Sequence, residues 1–191
     1  MTPFEIFSQW FDEECRLTKV NIPEACCLST IGVDNYPNAR FVSLKGIEEN
    51  KFIVTGPLAS KKGIEIGLAD KVALTFWWAA TGKQVRIQGN ATIISNELAD
   101  KYFAERNRDS QIVSIISKQG QPLNDIQILN QEYQEFETKF SNQVLTRPEN
   151  WSGFSIAPIR IEFLKFNPTR FHNRHLYELT NGEWLKTALQ P

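Results

Sequence analysis

Phe4, Phe7, Trp10 and Phe11 recur at helical spacing, so the chain opens with an amphipathic helix running through about Leu17. The pattern then changes. Ala25 to Ile31 reads as a buried strand ended by the turn signal Gly32-Val33-Asp34-Asn35. Asn38 to Gly46 and Lys51 to Thr55 form a hairpin across Glu48-Glu49-Asn50, and Ser60 is a good N-cap for a short helix to about Ala69. Val72 to Trp78 and Lys83 to Ser95 form a second hairpin through Thr81-Gly82. In its latter strand Gln84, Arg86 and Gln88 share one face while Val85 and Ile87 take the other, the alternation of a half-buried strand with one polar wall. Helices follow near Glu97 to Glu105, Asp109 to Ser117 and Leu123 to Phe140. Phe154 to Phe166, Arg170 to Leu179 and Trp184 to Thr187 return to strands, the last two joined by the hairpin signal Asn181-Gly182.

Many hairpin strands, with helices grouped at the start and middle, predict an α+β, mainly β architecture. A closed or split antiparallel barrel is the natural way to hide so many edges. No repeat, low-complexity tract or linker divides residues 1–191, so one domain is expected. Composition is that of a soluble globular protein, 41% hydrophobic and 23% charged. A formal net charge of -1 carries no nucleic-acid footprint, so any anion site must be a local basic cluster. Three cysteines, two of them the adjacent Cys26 and Cys27, give no disulfide framework and read as buried thiols in a reducing cytosol. The start lacks the pattern of a signal peptide and no apolar run is long enough to span a bilayer; a cytoplasmic location is expected.

Four stretches could carry chemistry. If Arg170 to Leu179 is a strand, Arg170, His172 and Arg174 point to one face. Two permanent cations beside an imidazole then suggest a phosphate, a carboxylate or an electron-rich ring; a solvated basic edge is the plainer alternative. Arg40 and Lys45 bracket an apolar strand at odd spacing, which sends them to opposite faces of a regular strand. Ser60-Lys61-Lys62-Gly63 opens a helix, where backbone donors, the dipole and two lysines make a phosphate seat or a solvated pair. Tyr102 and Arg106, i and i+4 on a helix, could join Ser110 in holding a monophosphate, or simply stack at the surface. His172 and His175 have metal-like spacing, but no thiolate or carboxylate cluster supports a metal site. Phe76-Trp77-Trp78 reads as core and interface filling.

Taken in order, these motifs resemble the pyridoxamine (pyridoxine) 5'-phosphate oxidase family over nearly the whole chain. The matching segments include Ala39-Arg40 to Leu44-Lys45-Gly46, Ser60-Lys61-Lys62-Gly63, Gln84-Val85-Arg86 and Lys101-Tyr102-Phe103. Arg108-Asp109-Ser110-Gln111, Ser117-Lys118-Gln119, Ile161-Glu162-Phe163 and Arg170-Phe171-His172-Asn173-Arg174 complete them. The resemblance implies an FMN-binding split β-barrel with peripheral helices, a homodimer with FMN in a cleft at the subunit interface, and a phosphorylated B6 vitamer as substrate. It implies that Arg40, Phe41, Val42, Ser43, Leu44, Lys45, Val54, Thr55, Lys61, Lys62, Gln84, Gln119, Gly120 and Arg174 line the FMN site. Lys45, Tyr102, Arg106 and Ser110 would hold the substrate phosphate, with Arg170 and His172 against the pyridine ring as the catalytic pair. A dimer would let Arg40 and Lys45 serve different sites from opposite faces.

The implied reaction is hydride transfer from the substrate's C4' carbon to the flavin, with oxygen as acceptor, yielding pyridoxal 5'-phosphate and hydrogen peroxide. The chain departs from the family pattern in Leu164 where Trp is usual, Gly120 where Ser is usual, Lys61 for Arg and Val54 for Tyr. The N-terminal segment that covers the active site in longer members also has no counterpart. Two alternatives stand beside this reading: a flavin-dependent oxidase or reductase on another substrate, as in phenazine-pathway relatives, and a non-catalytic pyridoxal phosphate or flavin binder.

Overall fold

The computed structural model describes all 191 residues. Its elements are α1 (Pro3–Leu17), β1 (Ala25–Ile31), β2 (Pro37–Glu48), β3 (Lys51–Pro57), α2 (Lys61–Leu68), β4 (Lys71–Trp78) and β5 (Lys83–Ile93). After them come α3 (Asn96–Ala104), α4 (Arg108–Ile116), α5 (Ile126–Lys139), β6 (Trp151–Lys165), β7 (Asn173–Thr180) and β8 (Glu183–Ala188). The strands are antiparallel in the order β3-β2-β1-β4-β5-β6-β7-β8, and β3 also pairs β6. That extra pairing closes β1 to β6 into a barrel, mainly β with peripheral helices, and β7 and β8 extend its wall from β6. No helix is long and apolar enough to cross a membrane.

Alternation fills the barrel. Leu28, Leu74, Phe76, Val85, Ile87, Ile161 and Phe163 point inward and are buried, while their neighbours face outward. Helix α1 begins with a capping box, in which the Thr2 hydroxyl accepts from Glu5 N and the Glu5 carboxylate accepts from Thr2 N. It sets its aromatic stripe against the barrel: Phe7 meets the rings of Phe52, Phe76 and Trp78, and Trp10 meets Phe163. Glu14, one turn from the helix end, is buried and accepts from Ala80 N, Thr81 N and Thr81 Oγ1, so α1 also caps the β4–β5 hairpin. A second core lies outside the barrel, where Phe103, Ile112, Leu145 and Trp151 pack with Ile53 and hold α3 and α4 to the wall.

Two features of the strands decide where the site lies. Strand β2 pairs β1 over residues 37–43 but pairs β3 only over 44–48, and β3 then turns away to pair β6. The edge of β2 at residues 40–43 is therefore left free, and alternate backbone N–H and C=O groups face outward from it. Where the strands part, Leu44 opposes Val54 and Gly46 opposes Ile53, so Lys45 is an extra, bulged residue.

Element starts differ from expectation by three residues at three places. Helix α5 starts at Ile126 rather than Leu123, where Asp125 accepts from Gln127 N. Strand β6 starts at Trp151 rather than Phe154. Strand β7 starts at Asn173 rather than Arg170, because Arg170 sits at φ 68°, a left-handed backbone no strand contains.

Candidate active site

Where β2 and β3 part, the first turn of α2 and the end of α4 wall a cleft of about 480 Å³. Its lining includes Arg40, Phe41, Val42, Ser43, Lys45, Thr55, Lys61, Lys62, Arg106, Gln119 and Gly120, which the spread of these positions along the sequence conceals. Arg40 and Lys45 thus share one cleft, contrary to the expectation that a regular strand sends them to opposite sites. The free edge of β2 and the bulge at Lys45 are the reason. Leu44 and Val54 point elsewhere: both are buried in the barrel core, and the Val54 backbone is paired on both sides, to Leu44 and Phe154.

Helix α2 is the basic wall. Ser60 caps it, its hydroxyl accepting from Gly63 N and donating to Pro57 O. Gly63 is required there, because a Cβ would lie 2.1 Å from Leu58 O. Lys62 is buried and its Nζ donates to Ser60 Oγ (3.1 Å) and to Gln119 Oε1 (2.7 Å), with no carboxylate in reach. Burial, with Arg40 nearby, draws its pKa down to about 8. Arg40 is held from behind. Its Nη2 donates to Glu65 Oε2 at 2.8 Å and its Nη1 to Thr30 Oγ1, while Thr30 Oγ1 and Asn38 Nδ2 donate to the same buried carboxylate at 2.5 and 2.6 Å. Burial pushes the Glu65 pKa up, but hydrogen bonds from Thr30 and Arg40 outweigh it and hold the group below the usual carboxylate range.

Across the cleft, Arg106 lies over the Trp151 ring at 5.2 Å and its Nη2 donates to Ser110 O and Ser114 Oγ. Burial lowers its pKa, and its Nε is buried without a partner. The side chains of Tyr102 and Ser110 make no hydrogen bond to it. Helix α3 ends at Ala104, so Arg106 is past the helix and the i,i+4 geometry with Tyr102 is lost. The Tyr102 hydroxyl instead donates to Glu48 Oε1 at 3.1 Å, and burial with that contact raises its pKa to about 12. Ser110 is fixed as the third residue of an Asn107 cap and lies outside the cleft lining.

The remaining candidates form a second group on the outer barrel wall. Cross-strand register sets Trp77, Gln84, Leu164 and Arg174 in one row over β4, β5, β6 and β7. Arg174 Nε donates to Glu162 Oε1 at 2.7 Å, and Arg86 shares that carboxylate. Beside the row, Phe166, Asn167, Pro168, Arg170 and His172 line a separate hollow of about 380 Å³. Arg170, His172 and Arg174 therefore do not share a strand face; the first two sit in the turn before β7. Within one chain this hollow and the cleft have no residue in common.

The chain's comparisons with known proteins match this geometry. Residues 11–140 match the family model described as pyridoxamine 5'-phosphate oxidase. The chain belongs to the pyridoxamine 5'-phosphate oxidase family. Residues 151–191 match the pyridoxine 5'-phosphate oxidase C-terminal dimerisation region, which contains the whole second group except Trp77, Gln84 and Arg86. The chain is 38% identical over 191 residues to a pyridoxine/pyridoxamine 5'-phosphate oxidase of Rhizobium meliloti strain 1021, covering 99% of this chain and 92% of that one. Among solved structures, PhzG from Burkholderia lata 383, in complex with tetrahydrophenazine-1-carboxylic acid, is 26% identical with a TM-score of 0.92, covering 99% of this chain and 92% of that one. A pyridoxamine 5'-phosphate oxidase-related, FMN binding protein from Nostoc punctiforme PCC 73102 shares the fold at 16% identity and a TM-score of 0.83, covering 100% and 98%.

Three residues that line or brace the cleft escape a reading of motifs. Glu65 is an acid at i+4 from Lys61 in an otherwise basic helix start, a pattern that looks like an ordinary surface pair until Thr30, Asn38 and Arg40 converge on it. Ser114 lies one turn after Ser110, and its hydroxyl lines the cleft beside Arg106. Trp151 supplies the face on which Arg106 rests, a contact between residues 45 positions apart that no local spacing encodes.

Proposed function

We propose that the chain is an FMN-dependent oxidase that converts pyridoxamine 5'-phosphate or pyridoxine 5'-phosphate to pyridoxal 5'-phosphate. Oxygen is the acceptor and hydrogen peroxide a product; with the amine, water supplies the aldehyde oxygen and ammonia leaves. The observation that carries this reading is the cleft's charge: Arg40, Lys45, Lys61, Lys62 and Arg106 face one cavity, and Glu65 is the sole carboxylate pairing with any of them. So much uncompensated positive charge suits phosphate groups.

The donor set also suits FMN. Thr55 Oγ1 and Arg106 Nε are buried polar atoms without partners in the chain, and Thr55 lines the cleft. Arg40, Lys61, Lys62 and the N-terminus of α2 would take the cofactor phosphate, with Thr55, Gln119 and Gly120 beside it. The free β2 edge at Phe41, Val42 and Ser43 would offer backbone donors and acceptors to the flavin. When bound, FMN supplies the redox chemistry, taking a hydride from the substrate and passing its electrons to oxygen. Lys45 and Arg106 would grip the substrate phosphate, so binding energy remote from the reacting carbon orients it. Gln84, Arg170, His172 and Arg174 would complete each cleft from the partner subunit of a homodimer, which explains why one chain holds them apart.

A second reading, oxidation of an unphosphorylated ring compound, is favoured by the commitment of Tyr102 to Glu48 and the position of Ser110. One assay separates the two. Purified protein is examined for a flavin spectrum and given pyridoxamine 5'-phosphate under air. Peroxide with pyridoxal 5'-phosphate is the expected result. Flavin-loaded protein that leaves every B6 phosphate untouched would overturn the substrate, and flavin-free protein that cannot be loaded would overturn the cofactor. Arg106→Ala should raise KM for the phosphorylated substrate by about 10- to 100-fold with flavin content intact. Parallel loss of flavin would place Arg106 on the cofactor's phosphate.

A further inference from the structure

The turn between β6 and β7 is locked from within. Asn167 Oδ1 accepts from Thr169 N at 3.1 Å and from Thr169 Oγ1 at 2.9 Å, and Asn167 O accepts from Arg170 N at 3.0 Å. These bonds hold Arg170 in a left-handed conformation that an arginine does not choose freely. His172 N then donates to Arg170 O, and the imidazole leans on Phe166 with ring centroids 4.9 Å apart. The ring is also hydrogen-bonded: Asn167 N donates to His172 Nδ1 at 3.0 Å. A backbone N–H cannot accept, so Nδ1 must bring its lone pair, and in the neutral ring the proton must sit on Nε2.

We infer that Asn167 is a positioning residue: it shapes the 167–172 turn and fixes the neutral His172 imidazole as the Nε2–H tautomer. The inference rests on the proposed role of His172 beside the substrate ring and sharpens it. His172 then meets the ligand as a hydrogen-bond donor, suited to an oxygen that carries or gains negative charge. In this tautomer Nε2 has no lone pair with which to take a proton from the substrate, so the neutral ring is not the general base of the reaction. Arg170, presented by the same turn, adds a permanent cation, and the pair reads as an electrostatic clamp on an electron-rich ring.

The chain has only two histidines, which makes the test direct. Long-range proton–nitrogen correlation spectra of uniformly 15N-labelled protein, taken where imidazoles are neutral, report which ring nitrogen carries hydrogen. A His175→Gln variant assigns the remaining ring to His172. The expected spectrum shows a pyridine-like Nδ1 far downfield of a protonated, pyrrole-like Nε2. Asn167→Ala should move both shifts toward the averaged values of free imidazole, and Asn167→Asp, which keeps the oxygen that Thr169 needs, should restore them. In turnover, Asn167→Ala should lower kcat about tenfold with KM for the phosphorylated substrate little changed, since the phosphate anchors lie in the other group. An Nδ1–H or averaged His172 in the unaltered protein would overturn the inference, a result readable even if neither Asn167 variant folds. The Nε2–H signature in a protein that oxidises no B6 phosphate would uphold the tautomer and sink the substrate assignment instead.

Discussion

Lys62 is buried beside Arg40 with only neutral acceptors, Ser60 and Gln119, for its ammonium. An unfolded lysine titrates near 10.5 and this one near 8, so below pH 8 the fold carries a charge it disfavours. That penalty is present in full below 8 and is relieved as pH rises from 8 toward 10.5. Lys62→Met should therefore stabilise the flavin-free protein at pH 7 by about 1–2 kcal/mol in urea unfolding. The same change should weaken FMN binding by about 10- to 100-fold, read by flavin fluorescence. In the unaltered protein FMN affinity should fall as pH rises through 8, because binding must then recover a proton; Lys62→Met should flatten that fall. Equal affinity in both proteins would remove Lys62 from the phosphate seat. The basic helix start itself was legible, since Ser60 is an N-cap signal just ahead of Lys61 and Lys62. Its counter-charge was not, because Thr30, Asn38 and Arg40 reach Glu65 only through the pairing of β1 with β2.

At the scale of elements, α2 is fastened to the barrel by the buried Ile66 and by that carboxylate, on which three side chains of β1 and β2 converge. Glu65→Ala leaves the Arg40 guanidinium facing Thr30 with no anion, and should cost about 3 kcal/mol in the flavin-free protein, measured by chemical denaturation. A loss below about 0.5 kcal/mol would mean the network is ornamental. Helix α1 depends on shape instead. Phe7 is 1% exposed among four aromatic rings, and Phe7→Ala should cost about 3–5 kcal/mol. The helix itself was plain from its aromatic stripe, as were both early hairpins and the Asn181-Gly182 turn. Two local features were hidden, each for its own reason. The bulge at Lys45 exists because β3 leaves β2 for β6, a decision made 100 residues further along the chain. The turn at Arg170 was masked because Arg170-Phe171-His172-Asn173-Arg174 alternates as a strand would, while the breaker Asn167-Pro168 lies just before it.

In the whole molecule, one chain holds a basic cleft and, apart from it, a row and a turn that carry Gln84, Arg170, His172 and Arg174. Barrel closure explains the separation: the cleft opens where β2 and β3 part, while the row crosses β4 to β7. The match of residues 151–191 to a dimerisation region places the turn in the segment that would meet a second copy. If each working site takes its cleft from one protomer and its turn from the other, defects in the two groups must complement. Arg106→Ala and His172→Ala homodimers are prepared, each with little activity toward pyridoxamine 5'-phosphate, then dissociated, mixed and reassociated. Half the dimers should be mixed and each should carry one intact site, so roughly a quarter of the unaltered activity should return. No recovery, with mixed dimers shown to have formed, would contradict a site shared between subunits.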